Sequence, residues 1–261
     1  MGPPIPDSEQ ILMLMLVFLR VSAVLFVIPA FGERTVPARV KGGLAIIITL
    51  TVFPFVRADM PSLLQEAQTF AIFTAMIGEI MIGITIGFAV RMIFAGVQFA
   101  GEMIGIKMGF YMANIIDPVS STQVSIIAEF QYLIALLVYL AVDGHHIFLA
   151  AITDSYQIVT PLGYHFSGPL MKALIQFSGN LFITAVKIGA PVIAVLFFTN
   201  TALGIIARTV PQINIFIVGF PLQIAVGLIF FGLTAPIFVA TLQAVMNHLS
   251  IDVHTLLKLM S

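Results

Sequence analysis

Six long apolar runs constrain the fold of this chain more than any other feature. A membrane-spanning helix needs about 20 mostly apolar residues, and an open sheet cannot satisfy its backbone hydrogen bonds in lipid. The runs therefore predict an all-α integral membrane protein with about six spans. The shortest run contains Pro54, and the last contains Pro221 and Pro236, which predicts a helical hairpin or kinked pair there. The runs cover residues 11–31, 43–56, 70–90, 124–142, 173–200 and 213–246.

The composition excludes most soluble functions. Of the 261 residues, 60% are hydrophobic and 9% are charged, whereas soluble domains carry about 25% charged residues. The net charge of −1 argues against nucleic-acid binding, which uses a basic surface. The sequence has no cysteine, no phosphate-binding loop and no Ser-His-Asp order. We therefore expect no enzymatic activity, no cofactor and no bound metal.

The aromatic residues have an unusual distribution for a lipid-facing bundle. The chain has 23 Phe and five Tyr but no Trp, although Trp and Tyr usually mark both membrane interfaces. Either the composition is specific to the lineage, or little of this chain touches a bilayer interface. The sequence leaves both explanations open.

Four charged residues, Arg20, Glu79, Glu129 and Lys187, fall well inside apolar runs. Asp, Lys or Arg at the centre of a membrane helix costs about 2.5–3.5 kcal/mol, so four lipid-facing charges would cost on the order of 10 kcal/mol. We therefore predict that they face protein or a wet interior. There they would form hydrogen bonds or ion pairs between helices, or else a relay for protons or ions. The predicted set of buried charges is Arg20, Glu79, Arg91, Glu102, Glu129 and Lys187.

Glycines recur at four-residue spacing in two stretches of the chain. Gly83 and Gly87 form the first stretch, and Gly101, Gly105 and Gly109 form the second. Such stripes allow helix backbones to approach closely in membranes. We predict that Gly83, Gly87, Gly101 and Gly105 pack against other helices, including those of other subunits.

A short Asp-Gly-His-His element at residues 143–146 raises the question of a metal site. Adjacent histidines point about 100° apart on a helix and rarely share one ion. A site without thiolates would also need an oxygen ligand from Asp143 or Asp154. A helix end with a turn at Asp-Gly is the simpler interpretation, and we predict no metal there.

Residues 101–118 combine features that a lipid-facing segment does not use. The stretch contains three glycines, the opposite charges of Glu102 and Lys107, and a cluster of Met, Phe and Tyr before Pro118. Methionine is flexible enough to close an irregular hole, glycine gives backbone freedom, and Pro118 disfavours a continuing helix. These features favour a segment that lines or blocks a passage inside an assembly. The alternative is an apolar loop between helices.

Several short motifs occur along the chain in a fixed order: residues 37–41, 87–91, 101–102 with 109–110 and 117–118, 143–145 with 155–156, and 211–216 with 219–221. Together they resemble the flagellar biosynthetic protein FliR family, the export-gate subunit of type III secretion systems. The resemblance covers nearly the whole chain. The last motif is more similar to the flagellar branch than to the virulence injectisome branch.

The resemblance implies a fold of long, bent helical hairpins. A FliP-like part would cover about residues 1–190, and a FliQ-like part would cover about residues 191–261. The chain would assemble with FliP and FliQ into one helical complex that holds a single FliR copy, with FlhB around the cytoplasmic entrance. The location would be the bacterial inner membrane within the flagellar basal body, with the gate raised out of the bilayer plane.

The resemblance also implies a plug in the pore. In this family the loop between the middle helices enters the pore, and its motif covers about residues 106–122 in this chain. Bulky residues there would keep the pore shut at rest. The predicted plug residues are Ile106, Lys107, Met108, Gly109, Phe110, Tyr111, Met112, Asn114, Ile115, Ile116, Asp117 and Pro118.

The sequence therefore predicts a non-enzymatic subunit of the flagellar export gate, through which unfolded flagellar proteins pass. The alternative from another class is a small ion-coupled transporter or channel, in which Glu79, Glu129 and Lys187 would form a site at the membrane midplane. A transporter should have two related halves and be stable alone, whereas a gate subunit should need partners.

Overall fold

A computed structural model of the chain describes most of the sequence. All regular secondary structure in the described part is helical, which confirms the predicted all-α class. The described residues are 8–29, 31–33, 36–56, 69–110, 125–161, 163–212 and 214–261.

Seven α-helices follow one another along these residues, with a short 3-10 turn at Phe53–Phe55 after the second. The helices are α1 (Ser8–Val27), α2 (Ala38–Val52), α3 (Thr69–Met108), α4 (Ile126–Ala141), α5 (Gly144–Ile158), α6 (Gly168–Thr209) and α7 (Ile215–Lys258).

Five of the described helices are long and apolar enough to cross a membrane, and the bent pair of α4 and α5 brings the number to six. This number agrees with the six predicted spans. The third span is longer than predicted, because α3 continues beyond residue 90 as far as Met108. Arg91 and Glu102 end the apolar run in the sequence, but a helix needs only its backbone hydrogen bonds to continue past a charged residue.

Of the hairpin or kinked pair predicted for the last apolar run, the hairpin is wrong. Residues 215–258 form one helix, α7, which contains both Pro221 and Pro236. Helix α6 likewise contains Pro191. A proline removes one backbone hydrogen bond, and membrane helices tolerate this loss because neighbouring groups satisfy the freed carbonyl.

The helices group into two compact units, each of which is discontinuous in sequence. Helices α3, α6 and α7 contribute residues to both units. The predicted boundary near residue 190 lies inside α6, and the division into FliP-like and FliQ-like parts stays a prediction. Unit 1 contains residues 1–92, 143–177 and 247–261, and unit 2 contains residues 93–142 and 178–246.

The residues after α7 complete unit 1. The backbone N–H of His165 donates a hydrogen bond to the carbonyl of Met260 at 2.8 Å. The Ser167 hydroxyl donates to the carbonyl of Leu259 at 2.9 Å, and the Met260 side chain is fully buried. These bonds satisfy carbonyls that the end of a helix leaves free, and they fix the start of α6 to the end of α7.

Lys41 is a buried cation that closes the turn between α1 and α2. Its Nζ donates hydrogen bonds to the carbonyls of Gly32 at 3.1 Å and Glu33 at 2.8 Å. It also lies 5.5 Å from the centre of the Phe26 ring. A lysine near a helix C-terminus stabilises carbonyls that lack helical partners, so Lys41 has a structural role in this turn.

In unit 2, the second half of α3 packs antiparallel to α4. The Phe94 ring makes edge contacts with Tyr132 and Tyr139, with centroids 5.6 Å apart in both pairs. Further along α3, Gly101 lies against Ala128 of α4. Later residues of α3 thus contact earlier residues of α4, as in an antiparallel helix pair. Edge-to-face ring contacts stabilise this alignment of the two helices.

Candidate functional site

A buried ion pair joins three helices of unit 1. Arg20 of α1 is completely buried, and Glu79 of α3 is 1% exposed. The Arg20 Nε and Nη2 groups donate to the two carboxylate oxygens of Glu79 at 2.5 and 2.9 Å. Arg20 also donates to Ser155 Oγ at 2.9 Å and to the Val159 carbonyl at 3.2 Å, and its Cζ lies 3.9 Å from the Tyr156 ring centre.

This arrangement supports a structural role for Arg20 and Glu79. A bidentate guanidinium–carboxylate pair is the strongest form of such a contact, and two further guanidinium N–H groups donate to acceptors on and just after α5. The pair thus corresponds to the ion pairs between helices that the sequence allowed. Ser155 and Val159 lie more than 130 residues from Arg20, and only the adjacent Ser-Tyr motif at 155–156 pointed to this region.

Gly83 and Gly87 lie where α3 crosses α1. A Cβ atom on Gly83 would come within 2.6 Å of Ala23 Cβ and of the Arg20 carbonyl oxygen. On Gly87 it would come within 2.6 Å of Val27 Cβ. Any side chain at these positions would push the helices apart. Both close approaches are formed within this chain, and packing of these glycines against other subunits stays a prediction.

Gly101 and Gly105 perform the same function in unit 2. Their missing side chains allow α3 to contact Ala128 of α4 and Ser125, which precedes α4. Both glycines are buried. The two glycine stretches therefore build the chain's own helix pairs, one in each unit.

Three predicted plug residues belong to the last turn of α3. Ile106 and Lys107 are exposed, and Met108 is completely buried. Because α3 continues until Met108, the predicted loop start at residue 106 is corrected to Gly109. Met108 fills a core in unit 2 and does not extend into a passage. The other buried members of this core are Ile104, Ile127, Val192 and Leu196.

Helix α3 ends in a Schellman motif at Gly109. Gly109 has φ +88°, a left-handed conformation that glycine adopts without strain. Its N–H donates to the Ile106 carbonyl at 3.1 Å, and the Phe110 N–H donates to the Gly105 carbonyl at 3.2 Å. Phe110 packs against the core that contains Ile104, and this contact commonly accompanies the motif. The direction of the chain after α3 is therefore fixed.

Helix α7 supports this end of α3 from within unit 2. A Cβ atom on Gly109 would lie 2.8 Å from Phe220 Cδ1, and one on Gly227 would lie 2.6 Å from Met108 Cε. Gly227 thus leaves space for the Met108 side chain. Phe220 belongs to the motif at residues 219–221, but sequence reasoning assigned no packing role to it or to Gly227. Gly227 is one of three glycines in α7, and nothing in the sequence distinguishes it from the other two.

The remaining predicted plug residues lie outside the described part of the chain. The description stops after Phe110 and resumes at Ser125. The residues outside it are Tyr111, Met112, Asn114, Ile115, Ile116, Asp117 and Pro118.

The other four predicted buried charges are exposed on the chain itself. None of them has an ion pair with another described residue. Their side chains point away from the core, because other positions on the same helical turns carry the core residues. The expectation that partners cover them stays a prediction for Arg91, Glu102, Glu129 and Lys187.

Asp143 begins α5 in the left-handed conformation, with φ 54°. This agrees with the predicted helix boundary and turn at Asp143-Gly144. Its Oδ1 lies 3.8 Å from His145 Nε2 and 3.5 Å from His146 Nδ1. One ligand atom from each of these residues lies within 4.8 Å of the others, so the two histidines are closer than the sequence argument assumed. Asp143 and His146 are exposed, and exposed ion pairs of this kind contribute little stability.

A pocket of about 290 Å³ lies between α5 and the end of α7 in unit 1. Ile147, Val253 and Leu257 line it with apolar atoms. At its edge the Oδ2 atom of Asp154 lies 3.2 Å from Nε2 of His254. Asp154 is therefore paired with His254 across the pocket and not with the Asp143 cluster.

Comparison with known proteins identifies the family of the chain. The family of bacterial export proteins, family 1, matches residues 11–249. Flagellar biosynthetic protein FliR of Bacillus subtilis (strain 168) is 39% identical over 218 residues, which cover 82% of this chain and 83% of the relative. FliR of Escherichia coli (strain K12) is 35% identical over 211 residues, covering 80% and 79%. FliR of Pectobacterium carotovorum subsp. carotovorum is 33% identical over 220 residues, covering 84% and 83%.

The matched region includes parts of all seven described helices and the motifs on which the resemblance was based. The family consists of export proteins, and the relatives are named for flagellar biosynthesis. The chain is thus a membrane-embedded component of flagellar protein export. It belongs to the FliR family of bacterial export proteins.

Proposed function

We propose that this chain is a subunit of the flagellar protein export gate and assembles with FliP and FliQ around the pore for unfolded flagellar proteins. The observation that carries this proposal is the small buried fraction of its two longest helices. Within the chain, 28% of the apolar span of α6 and 11% of that of α7 are buried, against 61% for α3. Such large free apolar faces need neighbours, and helices of other subunits supply them.

The exposed charges favour protein neighbours over lipid. Glu129 and Lys187 lie on helices of apolar composition and have no ion pair with a described residue. A lipid-facing charge is expensive, whereas a partner subunit can offer a counter-charge or a wet surface. The same consideration applies to Arg91 and Glu102.

The plug segment, residues 109–122, blocks the pore in this proposal. Its support is the fixed direction in which the chain leaves α3. Met108 is anchored in the core of unit 2, and the Schellman motif at Gly109 ends the helix there. A segment that must hold a narrow passage closed needs a rigid base of this kind. The bulky Tyr111 and Met112 follow directly in the sequence.

The proposed assembly lies in the bacterial inner membrane within the flagellar basal body, and FlhB surrounds its cytoplasmic entrance. The role is non-enzymatic, and the energy for transport comes from other parts of the apparatus. A midplane ion site, as a transporter would need, receives little support. Glu79 is fully engaged by Arg20, and Glu129 and Lys187 are exposed on unit 2.

Replacing residues 111–122 by a flexible Gly-Ser linker of equal length tests the plug. We expect the complex with FliP and FliQ to form, and the inner membrane of cells that produce it to become permeable to small solutes. Permeability is measured as dye uptake. It is also measured as a growth defect in the presence of a solute that the intact membrane excludes.

Residues 57–68 provide a matched control, because this connecting stretch has the same length and lies between α2 and α3. The same linker there should leave permeability unchanged. An assembled complex with the linker at 111–122 that stays as tight as the wild type would rule out the plug. Failure of the wild-type chain to associate with FliP and FliQ would rule out the gate assignment itself.

A further inference from the structure

Helix α6 has two opposite faces in unit 2. Ala185, Ile188, Val192 and Leu196 are buried in the core on one face. The opposite face is exposed along its length, and its residues alternate at spacings of four and three, the period of a coiled-coil contact. We call this face the Lys187 stripe, which consists of Ile183, Lys187, Ala190, Ala194, Phe197 and Thr201.

Lys187 is an isolated charge within this stripe. The nearest charged residues along α6 are Lys172 and Arg208, about 22 and 32 Å away at 1.5 Å per residue. Lys187 is thus far from both charged ends of the apolar span. Its side chain is exposed and has no ion pair with another described residue.

Pro191 creates a second unsatisfied polar group near the Lys187 ammonium, namely the backbone carbonyl of Lys187. It lies four residues after Lys187, inside the helix, and it has no N–H to donate to the Lys187 carbonyl. The stripe therefore presents an ammonium group and a carbonyl that lacks its helical donor within one turn. Lipid chains satisfy neither group, whereas a polar side chain satisfies one or both.

Small side chains follow on the same stripe. Ala190 and Ala194 are exposed and four residues apart, between the larger Ile183 on one side and Phe197 on the other. Small residues at this spacing allow a second helix to approach closely in a membrane. A helix seated over the two alanines would bring its side chains within reach of Lys187, one turn away.

We propose that the Lys187 stripe docks a membrane helix of a partner subunit, and that this helix carries an Asp or Glu opposite Lys187. The stripe offers a cation, a carbonyl without its helical donor and a shallow depression at Ala190 and Ala194. An apolar helix with one carboxylate complements all three. The inference rests on the proposed function, because it requires an assembly with other subunits.

Carbodiimide cross-linking tests the contact in the purified complex of this chain with FliP and FliQ. The reagent joins a lysine amine to a carboxyl group within ion-pair distance as an amide, and the carbodiimide takes up the water and becomes a urea. We expect a cross-linked peptide that joins Lys187 to an Asp or Glu of a partner helix, identified by mass spectrometry. Lys187→Arg should keep the complex and lose the cross-link, because a guanidinium does not form the amide.

Two substitutions test the energetic importance of the stripe. Lys187→Gln should lower the yield of complex about tenfold, because the partner's carboxylate loses its counter-charge in a desolvated contact. Lys172→Gln is the matched control and should leave the yield unchanged. Ala190→Leu should prevent docking, whereas Ala202→Leu, at an exposed position of α6 off the stripe, should not.

Three outcomes would overturn the proposal while the complex itself still forms. These are a normal yield with Lys187→Gln, the absence of a Lys187 cross-link in the wild type, or a cross-link to a second copy of this chain. If the wild-type chain forms no complex with FliP and FliQ, the proposed function fails first. The two failures are therefore distinguishable.

Discussion

At the scale of single residues, the contrast between Arg20 and Lys187 is instructive. Both lie in apolar runs, and the cost of a lipid-facing charge predicted that neither faces lipid. The structure buries Arg20 completely and leaves Lys187 exposed. The sequence could not distinguish them, because Glu79 lies 59 residues and Ser155 lies 135 residues from Arg20. Only the tertiary fold brings these groups together.

Removing the carboxylate of Glu79 should destabilise unit 1 strongly. Glu79→Leu leaves the Arg20 guanidinium buried and unpaired, which costs about 3–5 kcal/mol. The double variant Arg20→Met with Glu79→Leu should regain most of this loss, because an apolar pair needs no counter-charge. The measurement is the thermal unfolding of the detergent-solubilised complex with FliP and FliQ in a double-mutant cycle.

Asp154→Asn is a suitable comparison, because the Asp154–His254 contact is partly exposed and even charged pairs at such positions contribute about 0–1 kcal/mol. Additive effects of the two substitutions at Arg20 and Glu79 would show that the pair does not act as a unit. The structural role proposed for it would then be incorrect.

At the scale of helices, hydropathy predicted the six membrane spans and their helical type, but it did not predict where each helix ends. The spacing of apolar residues does not record where a backbone hydrogen-bond ladder stops. Helix α3 continues past Arg91 and Glu102 to Met108, and α7 continues through two prolines. Gly109 carried a usable end signal, since glycine at this position is typical of a Schellman motif. In the sequence alone, the same glycine is also typical of backbone freedom in a loop.

The glycines at the α1–α3 crossing give a prediction at this scale. Gly83→Leu should prevent α1 from packing on α3, because even a Cβ atom would come within 2.6 Å of Ala23 and of the Arg20 backbone. We expect the variant chain to accumulate at a lower level than the wild type when both are produced without partners. Protein level and size-exclusion behaviour in detergent are the measurements.

Gly43→Leu provides the control in the same unit, because a Cβ atom there meets nothing within 4 Å. This variant should accumulate at the wild-type level. A Gly83→Leu protein that folds normally alone but no longer binds FliP and FliQ would contradict the intramolecular packing. It would instead support a contact of Gly83 with another subunit.

At the scale of the whole molecule, the sequence identified the family but gave no indication of the two units. Each unit is assembled from separate stretches of the chain, and no linker, repeat or change in composition marks where one unit gives way to the other. The reason is physical, since α3, α6 and α7 are long enough to contribute to both units. A boundary of this kind lies inside continuous helices.

Production with and without partners gives the prediction at this scale. We expect the chain alone to give a heterogeneous or unstable product in detergent, because the apolar faces of α6 and α7 stay uncovered. With FliP and FliQ it should give one complex that contains a single copy of this chain. The mass of the solubilised product, measured by native mass spectrometry, decides between these cases. A monodisperse, functional lone chain would contradict the need for partners.

The hydrogen bonds from residues 165–167 to residues 259–260 have a consequence for biosynthesis. Val253, Leu257 and Met260 belong to the core of unit 1, and they are synthesised after the other segments of that unit. Unit 1 therefore cannot close its core until residue 260 has left the ribosome. A ribosome that stalls shortly before residue 250 would release a chain in which the core of unit 1 is incomplete. Such an incomplete copy would leave the apolar core residues of unit 1 uncovered.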